Sequence, residues 1–127
     1  MEIFKYVTSA HYEHIKSAGS LEPRPTDGFI YGLPEDRNVW EPKHTKEILK
    51  HLQKYSGVSP VVLLRFIVEN SDPNALVQEG DEDVWFKMDT RRPLKDYQRS
   101  NFRLPEVVIT RPIPFEAISI VDSVPIE

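Results

Sequence analysis

The chain has no cysteine among its 127 residues. That excludes disulfides, thiolate metal sites and thiol nucleophiles in one step. Its start, "MEIFKYVTSAHYEHIK", lacks a basic stretch followed by an apolar run, and no segment approaches the roughly 20 apolar residues that span a bilayer. No signal peptide and no transmembrane helix are therefore expected, and a cytoplasmic location suits the composition. Also missing are a G-x-S-x-G elbow, a glycine loop that could cradle phosphate, and a paired-carboxylate signature, so hydrolase and nucleotide-triphosphatase chemistry lose support.

What is present is the material for one domain over residues 1–127. At this length a chain buries most of its apolar surface without staples, and 39% hydrophobic with 28% charged residues is ordinary for a globular protein. The net charge of -4 argues against bulk attraction to nucleic acid or anionic membrane, but it is unevenly spread. From Lys87 to Arg111 there are seven Lys or Arg (Lys87, Arg91, Arg92, Lys95, Arg99, Arg103, Arg111) against Asp89, Asp96 and Glu106. A local basic face is expected there.

"EIFKYVT" (2–8) alternates and is rich in β-branched and aromatic residues, which predicts a half-buried strand. Thr8 or Ser9 can then cap a short helix over "AHYEHIKSAG", with Tyr12 and Ile15 at helical spacing and Gly19 as a left-handed stop. "EPRPTDG" (22–28) is a loop, because two prolines, an Asp and a Gly each oppose regular structure; "GFIYGL" (28–33) is a short strand. A second helix is expected over 43–55, with Ile48, Leu49, Leu52 and Tyr55 on one stripe. "SPVVLLRFIVE" (59–69) is a near-continuous apolar run, the pattern of a strand buried on both faces and hence the central one. "VWFKM" reads as a strand, and "DTRRPLKDYQRSNFRL" as a long connection with at most a helical turn. "PEVVIT" (105–110) and "FEAISIVD" (115–122) are strands joined by "RPIP". The class is α+β, with two short helices and a mixed or mainly antiparallel sheet.

Few residues invite chemistry on their own. His11 and His14 share one helix face and His44 and His51 another, yet neither pair has the third and fourth ligand a metal requires, so no metal is expected. Trp40 and Trp85 suit core packing or a pocket wall. Arg65 stands among apolar neighbours, where an unpaired charge is costly, so it either reaches the sheet edge or has an acidic partner. The Arg-rich connection, with Tyr97 and Phe102 interleaved, could hold single-stranded nucleic acid or remain a solvated loop.

Three separated segments resemble the ADP-ribosyltransferases, in particular the small bacterial toxin-like branch and its DNA-modifying relatives. "IFKYVTSAHYEHIKSAGSLEP" resembles the family's opening strand and the "..I..SG.L.P" that follows it, "GFIYGL" the strand that shapes the nicotinamide pocket, and "LPEVVITRPIPFEAISIVD" the late strand that opens on the catalytic glutamate. The resemblance implies a split sheet with NAD⁺ as co-substrate in its cleft and Glu106 as the catalytic carboxylate on the nicotinamide ribose. Tyr6 would bond the adenosine-side ribose, and Thr8 would contact the dinucleotide. Tyr31 would stack on nicotinamide, with Gly32 beside it in the pocket strand. Arg91, Arg92, Tyr97, Arg99 and Arg103 would face the acceptor. Leaving nicotinamide builds positive charge on the ribose, which a carboxylate held at a strand mouth can stabilise.

Tyr6 stands where relatives commonly have histidine, and Lys5 where an aromatic is frequent. Leu104 replaces the first acid or amide of the E-x-E or Q-x-E arrangement, which moves the expected acceptor away from arginine. The resulting expectation is an NAD-dependent ADP-ribosyltransferase or NAD glycohydrolase, a toxin or effector that acts in its own or a target cell's cytoplasm and is restrained by an inhibitory partner. The alternatives are a non-enzymatic nucleic-acid- or protein-binding module on the same fold, using the basic 87–111 face, and a small interaction protein with no ligand.

Overall fold

In the computed structural model the described residues are 1–34, 61–80, 91–98, 101–102 and 105–124. The helix expected over 43–55, the strand "VWFKM", Trp40, Trp85, His44, His51, Arg99 and Arg103 lie outside them.

β1 (Glu2–Thr8) runs directly into α1 (Ser9–Ala18). Thr8 is extended, and its hydroxyl accepts from the His11 amide at 3.1 Å, so it caps one of the free N–H groups of the first turn. Gly19, at φ 85°, ends the helix by donating its N–H to the Ile15 carbonyl at 2.9 Å. A side chain would be strained in that left-handed conformation. Ile15 is the helix residue that is fully buried, and it anchors α1 to the sheet.

The remaining strands are β2 (Ser20–Leu21), β3 (Ile30–Pro34), β4 (Val61–Ile67), β5 (Ala75–Glu79), β6 (Arg92–Pro93), β7 (Pro105–Ile109), β8 (Ile113–Pro114) and β9 (Ser119–Val124). Among the described residues, seven strands form one sheet in the order β6-β5-β7-β3-β1-β4-β9, and β2 pairs with β8 separately. Every registered pair is antiparallel. The architecture is therefore α+β with an antiparallel sheet. On one face Ile3, Val7, Ile30, Leu64, Phe66 and Val107 pack with Ile15 of α1 and with Leu94 and Phe102 from the connection before β7.

The pairing of β1 is uneven. Against β4 it is registered over all its residues, from Glu2 with Ile67 to Thr8 with Val61. Against β3 the described register holds only Ile3 with Pro34 and Phe4 with Leu33. The two strands part beyond Phe4, which leaves a seam between the β1–β4–β9 and β3–β7–β5 halves.

Several expectations need correction. Among the described strands the apolar run 59–69 is not the central one: β4 stands last but one in the order, and β3 stands in its middle. Continuous hydrophobicity reported burial on both faces, which β4 has, with Val62, Leu64 and Phe66 buried on one face and Leu63 on the other. The expected strand 115–122 begins as a 3-10 turn, Phe115–Ala117, before β9 starts at Ser119. Pro112 and Pro114 lack the N–H that a continuous ladder requires, so "RPIP" contributes only the short β8. β5 was not expected, because it follows the turn residues "SDPN" at once and is only five residues long. The long connection is more structured than expected, carrying β6 and a 3-10 turn at Leu94–Asp96. Leu94 and Phe102 are buried in the core, so part of its length serves packing.

Candidate functional site

The loop before β3 folds back on itself because Gly28, at φ 75°, can adopt a left-handed turn. Gly28 N–H donates to the Arg24 carbonyl at 2.7 Å, and Arg24 N–H to the Phe29 carbonyl at 3.0 Å. Asp27 accepts from the Phe29 amide at 3.0 Å and from the Tyr31 hydroxyl at 2.8 Å, and it forms an ion pair with Arg24. The Arg24 guanidinium also lies over the Tyr31 ring, 4.6 Å from its centroid. This network fixes Tyr31 from both its hydroxyl and its ring. The Arg24 hydrogen bond, with help from the Tyr31 hydroxyl and Phe29 amide, pulls the Asp27 carboxyl down to about 2 despite some desolvation. Desolvation and the Asp27 carboxylate push the Tyr31 hydroxyl up.

Glu106 sits on β7 directly opposite Gln78 on β5. The Gln78 Nε2 donates to Glu106 Oε1 at 2.8 Å, and Arg91 donates Nε and a terminal N–H to Gln78 Oε1 at 3.1 and 2.8 Å. Arg91 in turn lies over Phe29, 4.9 Å from the ring centroid, and Phe29 meets Tyr31 edge-to-face at 6.0 Å. A continuous path of contacts thus joins Glu106 to Tyr31. Burial pushes the Glu106 carboxyl above its ordinary range, against the opposing effects of the Gln78 bond and the Lys5, Arg24 and Arg91 charges.

Register places the sequence candidates relative to one another. Tyr31 pairs with Val108, two residues from Glu106, and Phe4 pairs with Leu33, two residues from both Tyr6 and Tyr31 along their strands. Because faces alternate with period two, Tyr6, Tyr31 and Glu106 all lie on the same face of the sheet, Tyr6 and Tyr31 on the two strands that border the seam and Glu106 on β7, beside β3. Thr8 lies on that face as well, with its hydroxyl engaged as the helix cap. Gly32 has a packing reason: a Cβ there would come within 2.5 Å of Ile3 Cγ2 and 3.3 Å of the Phe4 carbonyl.

The acceptor-side candidates are less gathered. Arg91 belongs to the Gln78 and Phe29 contacts, whereas Arg92 is exposed on β6. Tyr97 stacks on the buried Phe102 at 6.0 Å, so this pair forms part of the protein's own packing. Arg111 donates to Asp72 at 2.7 Å. Arg65 has its acidic partner in Glu2 on the neighbouring strand, with Nε 2.7 Å from Oε1.

Sequence reasoning missed Lys5, Arg24, Asp27 and Gln78. Lys5 Nζ donates to the Tyr31 carbonyl at 2.8 Å across the seam. Desolvation lowers its ammonium to about 8, opposed by the Glu106 carboxylate and reinforced by Arg24. His11, in the first turn of α1, is lowered by desolvation and then by the Lys5 and His14 charges. Arg24 and Asp27 stand just ahead of Gly28, immediately before an aromatic strand, a pattern that could have been read as a side-chain clamp. Among the described residues no group of three or more His, Asp or Glu comes together as a metal site. Nor is any helix among them long and apolar enough to cross a membrane.

No known protein family, curated protein or solved structure matches this chain at a significant level. The functional reading therefore rests on the arrangement of its own residues.

Proposed function

We propose that the protein is an NAD-dependent ADP-ribosyltransferase or NAD glycohydrolase of the split-sheet type, with the seam between β1 and β3 as the NAD⁺ cleft. The observation that carries this reading is the common face of Tyr6, Tyr31 and Glu106, which come from three strands far apart in sequence. Tyr31 offers a clamped aromatic ring to nicotinamide, and Tyr6 a hydroxyl to the dinucleotide. Glu106 offers a carboxylate to the ribose that becomes cationic as nicotinamide departs. Lys5, Arg24 and Arg91 make the surroundings of that carboxylate cationic, which suits a substrate carrying a pyrophosphate.

The acceptor would be a macromolecule other than an arginine side chain, and an inhibitory partner would restrain the activity in the producing cell. The alternative of nucleic-acid binding on the 87–111 face receives less support, since Phe102 is buried and Arg111 is paired with Asp72. Calorimetric titration with NAD⁺ tests the reading: the wild type should bind, and Tyr31→Ala should bind at least tenfold more weakly. No heat of binding with the wild type at millimolar NAD⁺ would reject it.

A further inference from the structure

Gln78 is buried, 5% exposed, near the end of β5, where it follows the apolar Ala75, Leu76 and Val77 and precedes the buried Glu79. A buried primary amide has one acceptor oxygen and two N–H donors, and leaving either end unpaired is costly. Here the two ends are assigned by chemistry. Arg91 has only donors, and two of its N–H groups converge on Oε1 at 3.1 and 2.8 Å. The amide nitrogen must then face Glu106, and it donates to Glu106 Oε1 at 2.8 Å. Turning the amide over would set its oxygen against a carboxylate and its N–H groups against a guanidinium, two repulsive contacts for two attractive ones. The backbone adds a further constraint, because Gln78 and Glu106 are directly opposed in an antiparallel register.

We propose that Gln78 is a positioning residue that fixes the rotamer of Glu106, and that Arg91 acts through it by locking the amide. A neutral donor suits this task. A Lys or Arg in direct contact would orient the carboxylate but also neutralise the charge that Glu106 is to present, whereas an amide orients it and leaves the charge in place. The aromatic contact of Arg91 with Phe29 makes the same guanidinium a strut between the Glu106 and Tyr31 ends of the site. The catalytic consequence rests on the proposed function; the positioning does not.

The test is a carbon-detected NMR titration of the Glu106 carboxyl in the full chain, assigned by its disappearance in Glu106→Gln and repeated in Gln78→Met. Loss of the donated hydrogen bond should raise the Glu106 titration by about one pH unit and move the acidic limb of nicotinamide release by the same amount. An unchanged titration in a folded Gln78→Met protein overturns the proposal. Should that variant not unfold cooperatively, Arg91→Met takes its place, since Arg91 is an exposed residue that donates to the amide oxygen. It should raise the Glu106 titration and collapse the separation of the two Gln78 side-chain N–H resonances; unchanged resonances would overturn the proposal. A shifted titration in a protein whose wild type releases no nicotinamide would reject the proposed function while upholding the positioning.

Discussion

Lys5 Nζ donates to the Tyr31 carbonyl at 2.8 Å, bridging β1 and β3 where their registered pairing has already ended. The side chain supplies a donor to a carbonyl beyond the end of that register. Its ammonium is held at about 8, first by desolvation. The unfolded chain retains the Lys5 proton up to about 10.5. Between these values the unfolded state binds more protons than the folded state, so the stability contribution of Lys5 should rise as pH goes from about 8 to about 10.5. Urea unfolding of wild type and Lys5→Met at pH 7.5 and pH 10 isolates this effect from other titrating groups. The gap in stability between them should move in favour of the wild type at the higher pH by about 1–3 kcal/mol. A gap that does not change with pH would contradict the assignment.

Glu106 has the opposite sign. Its carboxyl is raised by burial, so the folded protein favours the protonated form and ionisation weakens the fold as pH rises through its folded value. Glu106→Gln should therefore be no less stable than wild type at pH 7.5, and its thermal midpoint should be equal or higher. A marked fall in the midpoint would mean that the carboxylate is a structural element.

Gly32 is expected to resist substitution. A methyl group there meets Ile3 Cγ2 at 2.5 Å, and Ile3 is fully buried. Gly32→Ala should cost about 1–3 kcal/mol, as overpacking of a core commonly does. Ile3→Ala removes the obstructing branch, so the double variant should lose less than the sum of the singles, and chemical denaturation of all four proteins measures the coupling.

Asp72 ties the turn before β5 to the end of β7. It accepts from the Asn74 amide at 2.8 Å and from Arg111 Nε at 2.7 Å, and those bonds hold its carboxyl below the ordinary range despite opposing desolvation. Its contribution is present above the unfolded value near 3.8 and is lost as pH falls through the lower folded value. Asp72→Ala should cost about 1–3 kcal/mol at pH 7 by removing both acceptors, and the difference from wild type should shrink in acid unfolding.

The parts of the fold legible in the sequence were those set by local physics. The alternation of "EIFKYVT", the Thr8 cap, the Gly19 stop and the punctuation of "EPRPTDG" each act within a few residues, and β1, α1 and β3 stand where they were expected. Strand order was not legible, because an apolar run such as "VVLLRFI" registers burial but not position within the sheet. Of the candidate site, Glu106 and Tyr31 were singled out through resemblance. Gln78 was not, since its role depends on a cross-strand neighbour 28 positions away, and Lys5 counted as a departure from the family pattern until the seam gave it a partner.

Nicotinamide release from NAD⁺ tests the central claim most directly, measured for wild type and Glu106→Gln, alone and with DNA, RNA or cell lysate. Wild type should release nicotinamide under at least one of these conditions, and Glu106→Gln should reduce the rate by at least about a hundredfold while retaining its fold, as loss of a preorganised electrostatic stabiliser does. Equal rates in the two proteins, or no release by wild type under any of the conditions, would contradict the assignment of Glu106 as the catalytic carboxylate.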